Sequence, residues 1–366
     1  MKNVIGNNIT LTLFGESHGT AIGGVLDGFP SGVHIDYDFI EKQMEKRRAA
    51  GAISTGRHEA DVPQFLSGIR DGISEGTPIA FVIANSSQHS NDYNALKNIA
   101  RPGHADYAGH IRYDGFEDAS GGGHFSGRLT AVMVAAGAIC MCMLKECGID
   151  IGTHIADLDG IEDRDFDEKN LVEEIALLNE RQFAVLDESK EAIMIHRIEE
   201  VKAQQDSLGG ILDTAVTGMP AGIGDPEFDS LESDIAHAMF SIPAVKGIEF
   251  GKGFAFAHMH GSSANDPFRI ENGKVVTVTN NNGGINGGIS NGMPIRFKTV
   301  IKATPSISRP QETVNFEKME NTTVEINGRH DPAIIHRARV VVDSMTALVI
   351  ADALVTQKGY REWKKI

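Results

Sequence analysis

Residues 126–147 form an apolar stretch that constrains the fold more than any other part of the chain. The stretch is rich in Ala, Met, Leu and Val, carries few charges and is followed by Gly148. A helix that is apolar on most sides must be covered on most sides, and a glycine commonly ends such a helix. The sequence therefore predicts a core helix enclosed by other layers of structure.

The rest of the chain mixes both kinds of secondary structure. Helical periodicity occurs at 36–48, 168–181, 189–206, 229–241 and 333–357, and strand-like runs occur at 9–13, 65–69, 79–84, 211–217, 275–279 and 294–301. Asp36 is the expected N-cap of the first of these helices. Helices and strands do not alternate regularly, so a doubly wound parallel sheet is not favoured and the predicted class is α+β. No repeat or Pro/Ser-rich linker marks a boundary, and we expect residues 1–366 to form a single domain.

Composition excludes several classes of protein. The 366 residues are 41% hydrophobic and 23% charged, which is ordinary for a globular chain. No run approaches the roughly 18 apolar residues of a membrane span, and the first residues lack the features of a signal peptide, so we expect a soluble, cytoplasmic protein. The formal net charge of −16 opposes binding to nucleic acid or to an anionic membrane.

The cysteines offer neither a disulfide framework nor a metal site. Only Cys140, Cys142 and Cys147 occur, and all three fall at the end of the apolar stretch. Three thiols so placed cannot assemble a four-ligand zinc site by themselves. We expect buried thiols and no metal.

Five polar loops interrupt the predicted elements, at 15–19, 101–109, 119–128, 280–292 and 328–332. A single loop rich in Gly, His, Arg, Asn and Ser is more often a tight turn, but five in one chain indicate a ligand site. The last loop directly precedes a predicted helix, whose N-terminus favours an anion. The chain's basic residues in or near these loops are Lys46, Arg47, Arg48, Arg101, Arg128, Arg329 and Arg337. Together they predict a pocket for a multiply anionic small molecule.

The loops do not fit the common catalytic and phosphate-binding motifs. Residues 15–19 match G-x-S-x-G, the nucleophile elbow of serine hydrolases, but the glycine-rich segment 20–33 that follows is a poor helix. Neither a Walker A nor a clean G-x-G-x-x-G pattern is present, so phosphate must be held in another way. His258 and His260 alternate along a predicted strand as a metal pair might, but no third ligand is evident nearby. Surface or cleft-lining histidines are the favoured interpretation.

An ordered set of short strings makes the chain resemble the chorismate synthase family along nearly its whole length. Any one string is weak, but their order and spacing together are highly specific. The strings are FGESHG at 14–19, RPGHADY at 101–107, VAAGA at 134–138, DIAHA at 234–238, AVKG at 244–247, GGI at 283–285, GGIS at 287–290 and GRHDP at 328–332.

The resemblance implies a fold and a reaction. The family's fold is a β-α-β sandwich, with a helical core between two antiparallel sheets, pseudo-twofold halves and, usually, a homotetramer. The implied reaction is the reduced-FMN-dependent anti-1,4-elimination of phosphate from 5-enolpyruvylshikimate 3-phosphate, which yields chorismate. Some family members reduce their flavin with NADPH and others need an external flavin reductase, and the sequence leaves both open.

The resemblance also assigns roles to residues. His18 would protonate the departing phosphate, His104 would protonate or stabilise the reduced flavin, and Asp331, with help from Ser17, would be an acid/base group. The implied substrate-binding cations are Arg47, Arg48, Arg101, Arg128 and Arg329. The implied FMN-binding residues are His124, Ser126, Ala244, Gly287, Lys302, Ala303, Thr304, Pro305, Ser306 and Arg329.

Two segments depart from the family pattern. The string GGRSSARET appears here as GGHFSGRLT at 122–130, where His124 can still donate a hydrogen bond and Phe125 can pack against the flavin ring. The basic loop at 47–54 ends in serine instead of arginine, and Arg57 is the candidate replacement. Because His18, His104, Arg329 and Asp331 are kept, we expect the reaction to be retained. The alternatives are a paralogue with a changed substrate and a flavin-binding module without catalysis.

Overall fold

The computed structural model describes residues 3–49, 51, 53–54, 61–85, 98–326 and 331–362. The strands of this part of the chain are Val4–Ile5 (β1), Thr10–Gly15 (β2), Ala21–Asp27 (β3), Gln64–Phe65 (β4), Ile69–Arg70 (β5), Ile73–Ser74 (β6), Ile79–Ala84 (β7), Asp150–Leu158 (β8), Ile161–Glu162 (β9), Gly210–Thr217 (β10), Val245–Phe250 (β11), Phe268–Glu271 (β12), Lys274–Thr277 (β13), Ile285–Asn286 (β14), Ile289–Ser290 (β15), Ile295–Ile301 (β16), Gln311–Asn315 (β17) and Glu320–Val324 (β18). The helices are Tyr37–Arg47 (α1), Asp106–Arg112 (α2), Thr130–Glu146 (α3), Leu171–Glu180 (α4), Glu188–Ala203 (α5), Leu231–Ser241 (α6), Gly261–Ala264 (α7) and Ile335–Glu362 (α8).

Two antiparallel sheets of five strands form the outer layers of the fold. The first has the order β1-β2-β3-β7-β4 and the second has the order β11-β16-β10-β8-β9. In the first sheet Leu11 lies opposite Leu26, and Ile22 lies opposite Ile83. All four side chains are buried, because alternate residues of a strand point to the same face of the sheet. The sheets therefore turn apolar faces toward a common interior.

The helices α3 and α8 fill the space between the sheets. Helix α3 packs against β3 and β7, α8 packs against β8 and β10, and the two helices pack against each other. A Cβ on Gly137 of α3 would lie 2.3 Å from Cβ of Ser344 in α8, so only glycine permits this close approach. The predicted helical core between two antiparallel sheets is confirmed.

The two halves of the chain repeat one topology. In the first half the chain passes through β2, β3, α1, β4, β7 and α3, and in the second through β8, β10, α6, β11, β16 and α8. The corresponding sheet orders, β2-β3-β7-β4 and β8-β10-β16-β11, also match. This correspondence agrees with the pseudo-twofold halves that the family resemblance implies.

The predicted core helix is also the most apolar helix described. Contrary to the prediction, the segment Gly127–Glu146 is long and apolar enough by composition to cross a membrane. However, 83% of its most apolar window is buried inside the fold. Its hydropathy is therefore explained by its position between the two sheets.

Two smaller predictions were wrong. Cys140 and Cys142 are buried, and burial raises the pKa of both thiols, but Cys147 at the end of α3 is exposed. His258 and His260 do not lie on a strand. His258 ends a short 3-10 helix that begins at Gly253, and His260 precedes α7. Within the described residues no group of His, Cys, Asp and Glu is arranged to hold a metal ion.

Candidate active site

Ser17 and His18 lie in the turn after β2, against the glycine-rich loop that precedes α3. The backbone N–H of Ser17 donates to the carbonyl oxygen of Gly123 at 3.1 Å, and the Ser17 side chain is buried. A Cβ on Gly121 would lie only 1.9 Å from Cε1 of His18, so the imidazole packs directly on the glycine backbone. Nδ1 of His124 lies 2.9 Å from the carbonyl oxygen of Gly15. The first and third predicted loops thus form one unit.

The segment that follows residues 15–19 decides against the hydrolase motif. Residues Ala21–Asp27 form strand β3, which pairs antiparallel with β2, whereas a nucleophile elbow opens into a helix. Ser17 is therefore in a β-turn region between two strands.

Arg47 and Arg128 share one buried carboxylate. Oδ2 of Asp61 accepts a hydrogen bond from Nη1 of Arg47 at 2.7 Å, and Oδ1 accepts one from Nη1 of Arg128. Nε of Arg47 donates to Oγ1 of Thr130 at 2.8 Å, and Nε of Arg128 donates to Oδ1 of Asn85 at 3.0 Å. The end of α1, the start of α3 and the end of β7 are joined at this point.

The segment before α8 reaches the same cluster. Nη2 of Arg337 donates to Oδ2 of Asp331, and Nη1 of Arg337 donates to the backbone oxygen of Arg47 at 3.3 Å. Asp331 therefore lies close to the basic end of α1. The expected help from Ser17 stays a prediction.

His104 meets the segment after β16. Nε2 of His104 lies 2.9 Å from Oγ of Ser306, and Nδ1 lies 3.1 Å from the carbonyl oxygen of Pro102. Nζ of Lys302 donates to the carbonyl oxygen of Gly103 at 2.7 Å. Burial, and then the nearby charge of Arg101, lower the pKa of His104 to about 4. The imidazole is therefore neutral near pH 7 in the chain alone.

Two hydrogen bonds connect the 302–306 segment, which contacts His104, with the segment that holds Asp331. The hydroxyl of Ser207 donates to the carbonyl oxygen of Thr304 at 2.6 Å. The N–H of Leu208 donates to the carbonyl oxygen of Pro332 at 2.7 Å. The neighbouring pair Ser207 and Leu208 thus links the 302–306 segment to the segment that holds Asp331. On the other side, Gly109 of α2 packs so closely on Phe125 that a Cβ there would lie 2.7 Å from Cε2 of that ring.

Two further candidate cations are held by carboxylates. Arg101 makes a two-pronged ion pair with Asp106, at 2.8 Å from Nε and 2.7 Å from Nη2. Nη2 of Arg48 donates to Oε1 of Glu41 at 2.6 Å. Arg329, and the candidate replacement Arg57, lie outside the described residues.

The remaining predicted flavin residues lie in three places. Ala244 adopts φ 75, which is strained for alanine, and its carbonyl oxygen accepts the N–H of Lys302 at 2.9 Å. Ala303 and Pro305 belong to the same segment. The Ser126 hydroxyl accepts the N–H of Arg128 at 3.2 Å in the glycine-rich loop. Gly287 lies in the β14–β15 hairpin, and no contact among the described residues joins it to either histidine.

The 302–306 segment has features that fit a polar, phosphate-bearing cofactor. Oγ1 of Thr304 is buried and has no hydrogen-bond partner in the part of the chain that the structure describes. Buried hydroxyls are normally satisfied, so this atom is available to a bound group. Lys302 supplies a cation beside it, and Ser306 supplies a second hydroxyl. The donor set therefore matches the expected flavin better than a metal ion.

Sequence reasoning missed Asp61, Asn85 and Arg337 as partners within the site. Asp61 is one of the chain's 50 acidic residues and carries no motif. Its partners are 14 and 67 positions away, so only the folded chain brings them together. Arg337 stood among the basic residues near the loops, but its pairing with Asp331 had no sequence signal.

Comparisons with known proteins agree with the resemblance. A sequence model described as "Chorismate synthase" matches residues 9–355. The chain is 43% identical over 353 residues to a chorismate synthase of Dehalococcoides mccartyi, which covers 96% of each protein. It is 43% identical over 353 residues to one of Pyrococcus abyssi, covering 96% of this chain and 98% of the relative. A relative from Methanosarcina barkeri is 42% identical over 354 residues, 96% of each.

A solved structure gives the same result for the fold. The crystal structure of a chorismate synthase superposes with a TM-score of 0.77 and 28% sequence identity. The match covers 98% of this chain and 96% of the other. The similarity therefore extends over both sheets and the helices between them.

Proposed function

The chain belongs to the chorismate synthase family and is a lyase of the shikimate pathway, and from that premise we propose how its residues carry out the reaction. The substrate is 5-enolpyruvylshikimate 3-phosphate, which loses phosphate and a ring hydrogen to give chorismate. The observation that carries the proposal is that His18, His104, Asp331 and the Arg47–Arg128 pair are linked by short chains of contacts through neighbouring residues. These groups come from both halves of the chain.

We take FMN in its reduced form to be the cofactor. When bound, reduced FMN supplies the transient electron that lets the bond between carbon and the phosphate oxygen break. Lys302, Thr304 and Ser306 would hold it, because a cation and two hydroxyls suit a phosphate and ring carbonyls. The strained backbone of Ala244 supports this choice, since such strain concentrates at ligand sites.

His104 would hold a proton beside the flavin. Its carbonyl partner Pro102 can only accept, so Nδ1 carries a hydrogen and Nε2 accepts from the hydroxyl of Ser306. An anionic ring next to this imidazole would raise its pKa from about 4 toward neutrality, because an opposite charge favours the protonated form. Ligand binding itself would thus prepare His104 to donate.

His18 would protonate the departing phosphate. The contact between its ring and Gly121 fixes the orientation of the imidazole before the substrate arrives. Fixing a proton donor in advance removes the cost of orienting it during the reaction. Asp331, held by Arg337, would accept the ring proton as the general base.

The arginines would bind the substrate's phosphate and two carboxylates. Arg47, Arg48 and Arg128 gather at the end of α1, and Arg101 lies beside His104. Arg329 is assigned to the same role by family resemblance. Guanidinium groups suit this task because their planar donors match carboxylate and phosphate oxygens in pairs.

Several coarser features complete the proposal. One hydrophobic core contains residues of both sheets, which supports a single domain over residues 1–366. We propose a cytoplasmic homotetramer with no nucleic-acid or membrane partner. The flavin is reduced either by NADPH on the enzyme or by an external flavin reductase.

An anaerobic assay tests the function directly. Dithionite-reduced FMN and 5-enolpyruvylshikimate 3-phosphate are mixed with the protein, and chorismate absorbance and phosphate release are followed together. Equal amounts of both products over many turnovers per flavin support the proposal. If FMN binds and neither product appears, His124 and Phe125 belong to a site with a changed substrate, and related cyclic phosphates become the candidates. Phosphate release without flavin would point to a hydrolase.

A further inference from the structure

Asp61 lies between two arginines that the proposed function assigns to the substrate. Its two carboxylate oxygens each accept a hydrogen bond from a different guanidinium group, of Arg47 and of Arg128. The Asp61 side chain is only 2% exposed, and those of Arg47 and Arg128 are 10% and 5% exposed. The three groups therefore form a buried triad with a net charge of +1.

The carboxylate makes this arrangement of cations tolerable. Two guanidinium groups this close would repel each other, and a buried charge without its partner is strongly destabilising. One shared carboxylate neutralises half of the positive charge and bridges both groups. The distance between the two cations is consequently set by the width of a single carboxyl group.

Both arginines also donate hydrogen bonds to neutral protein groups. Nη2 of Arg47 donates to the carbonyl oxygen of Gly127 at 2.9 Å, in addition to the contact of Nε with Thr130. Nε of Arg128 donates to Asn85. Each guanidinium therefore has neutral partners in addition to Asp61.

The backbone of Asp61 is in a conformation that few residues adopt. Its φ is 49, in the left-handed region, which aspartate tolerates better than most residues with a side chain. Such conformations cost free energy and persist where the surrounding structure imposes them. The strain here coincides with a side chain that joins both arginines.

We propose that Asp61 is a positioning residue, which holds the guanidinium groups of Arg47 and Arg128 at the spacing that binds the anionic substrate. This inference rests on the proposed function, which assigns both arginines to that substrate. Asp61 itself does not need to touch the substrate. Its contribution is to orient two cations in advance, so that binding does not have to order them.

The substitution Asp61→Asn separates this role from simple electrostatics. The amide has nearly the same shape, but the triad then carries a charge of +2 instead of +1. If only charge mattered, an anionic substrate would bind more tightly to the variant. If spacing matters, binding weakens although positive charge has been gained, because the amide nitrogen cannot accept from an arginine.

The measurement is calorimetric binding of 5-enolpyruvylshikimate 3-phosphate, together with KM and kcat from the anaerobic assay. We expect the Kd and KM of Asp61→Asn to rise about tenfold or more, the order of one lost charge-assisted hydrogen bond, with a smaller change in kcat. The matched control is Asp163→Asn, since Asp163 is a buried carboxylate that pairs with His154 at 2.8 Å in the second sheet. That variant should lose stability and keep the wild-type Kd.

A second variant covers the case in which Asp61→Asn does not fold. Asp61→Glu keeps the charge and the ion pairs but lengthens the bridge by one methylene, so it should fold and still bind the substrate more weakly. Wild-type binding by either folded variant would overturn the proposal. If the wild-type chain itself does not bind the substrate, the proposed function fails first, and the two failures are distinct.

Discussion

Nε2 of His104 lies 2.9 Å from Oγ of Ser306, although 202 positions separate the two residues. The contact joins the second polar loop of the first half to the segment after β16 in the second half. Each half of the chain supplies one residue of this pair. The contact therefore depends on the packing of the two sheets on their shared helices. The imidazole is buried by the same packing, which lowers its pKa to about 4.

Replacing His104 by alanine should remove most turnover and leave substrate binding intact. A positioned proton donor typically contributes about 10²-fold to 10⁴-fold to a rate, so we expect kcat to fall within that range. Anaerobic turnover with reduced FMN gives kcat, and calorimetry gives the Kd of the substrate. The control is His110→Gln in the neighbouring helix α2, which should keep wild-type turnover. Unchanged kcat in His104→Ala would remove this residue from the mechanism.

A methyl group on Gly121 should disable the site through His18. The added Cβ would lie 1.9 Å from Cε1 of the imidazole, and Gly121 has φ 60, which alanine adopts only under strain. We expect Gly121→Ala to lose about 1–3 kcal/mol of unfolding free energy and most of its activity. Urea unfolding and the anaerobic assay measure the two effects.

Gly127 offers the matched control for that substitution. It lies in the same loop, has no heavy atom within 4 Å of an added Cβ, and stands where the family pattern has alanine. Gly127→Ala should therefore keep both stability and turnover. Equal behaviour of the two variants would show that the contact between Gly121 and His18 is not required.

Several helices and strands whose signals lie within a few neighbouring residues were predicted correctly. Asp36 caps α1 by accepting the N–H of Phe39 at 2.9 Å, as expected, and β7 spans Ile79–Ala84 as predicted. The apolar stretch before Gly148 forms the core helix α3. Its side chains are apolar on most sides, so the helix must lie between the layers of the fold to be covered. These features depend on residues within a few positions of each other.

Features that depend on distant partners could not be predicted in the same way. The alternation of His258 and His260 resembled a strand, but Gly253 at φ 48, packed on Glu249, begins a 3-10 helix instead. Asp61 carries no motif, and its importance comes from two arginines that the fold brings to it. The family strings located the loops, whereas the contacts between the loops required the structure.

Removal of Arg48 should weaken substrate binding in the way that salt does. Arg48 is partly exposed at the end of α1 and pairs with Glu41, so its charge acts through solvent and is screened by ions. We expect a several-fold rise in KM for Arg48→Ala at low ionic strength. Added salt should weaken the wild type more than the variant, so the difference shrinks. The control is Arg197→Ala, a surface ion pair on α5. A salt-independent difference would assign Arg48 a structural role.

His336 should make the fold sensitive to acid. Its side chain is 1% exposed, its Nε2 lies 2.9 Å from Oγ of Ser54, and burial and the charge of Arg337 lower its pKa to about 3. The unfolded chain takes up this proton near pH 6.5, whereas the folded chain does not until about pH 3. The neutral imidazole of His336 should therefore make its full contribution to the unfolding free energy above about pH 6.5. On acidification below that pH, this one group should lower the unfolding free energy by up to about 1.4 kcal/mol per pH unit.

The variant His336→Gln isolates that contribution, because glutamine can keep a hydrogen bond to Ser54 but takes up no proton. Urea unfolding at several pH values between about 7.5 and 5 gives the free energy of each protein. The wild type should lose stability faster than the variant as the pH falls below about 6.5, since only the wild type has this imidazole to protonate on unfolding. The control His196→Gln removes a histidine whose side chain is 74% exposed, and its curve should run parallel to that of the wild type. If the His336→Gln curve is also parallel to that of the wild type, the folded and unfolded chains take up this proton at the same pH, and burial does not keep the imidazole neutral.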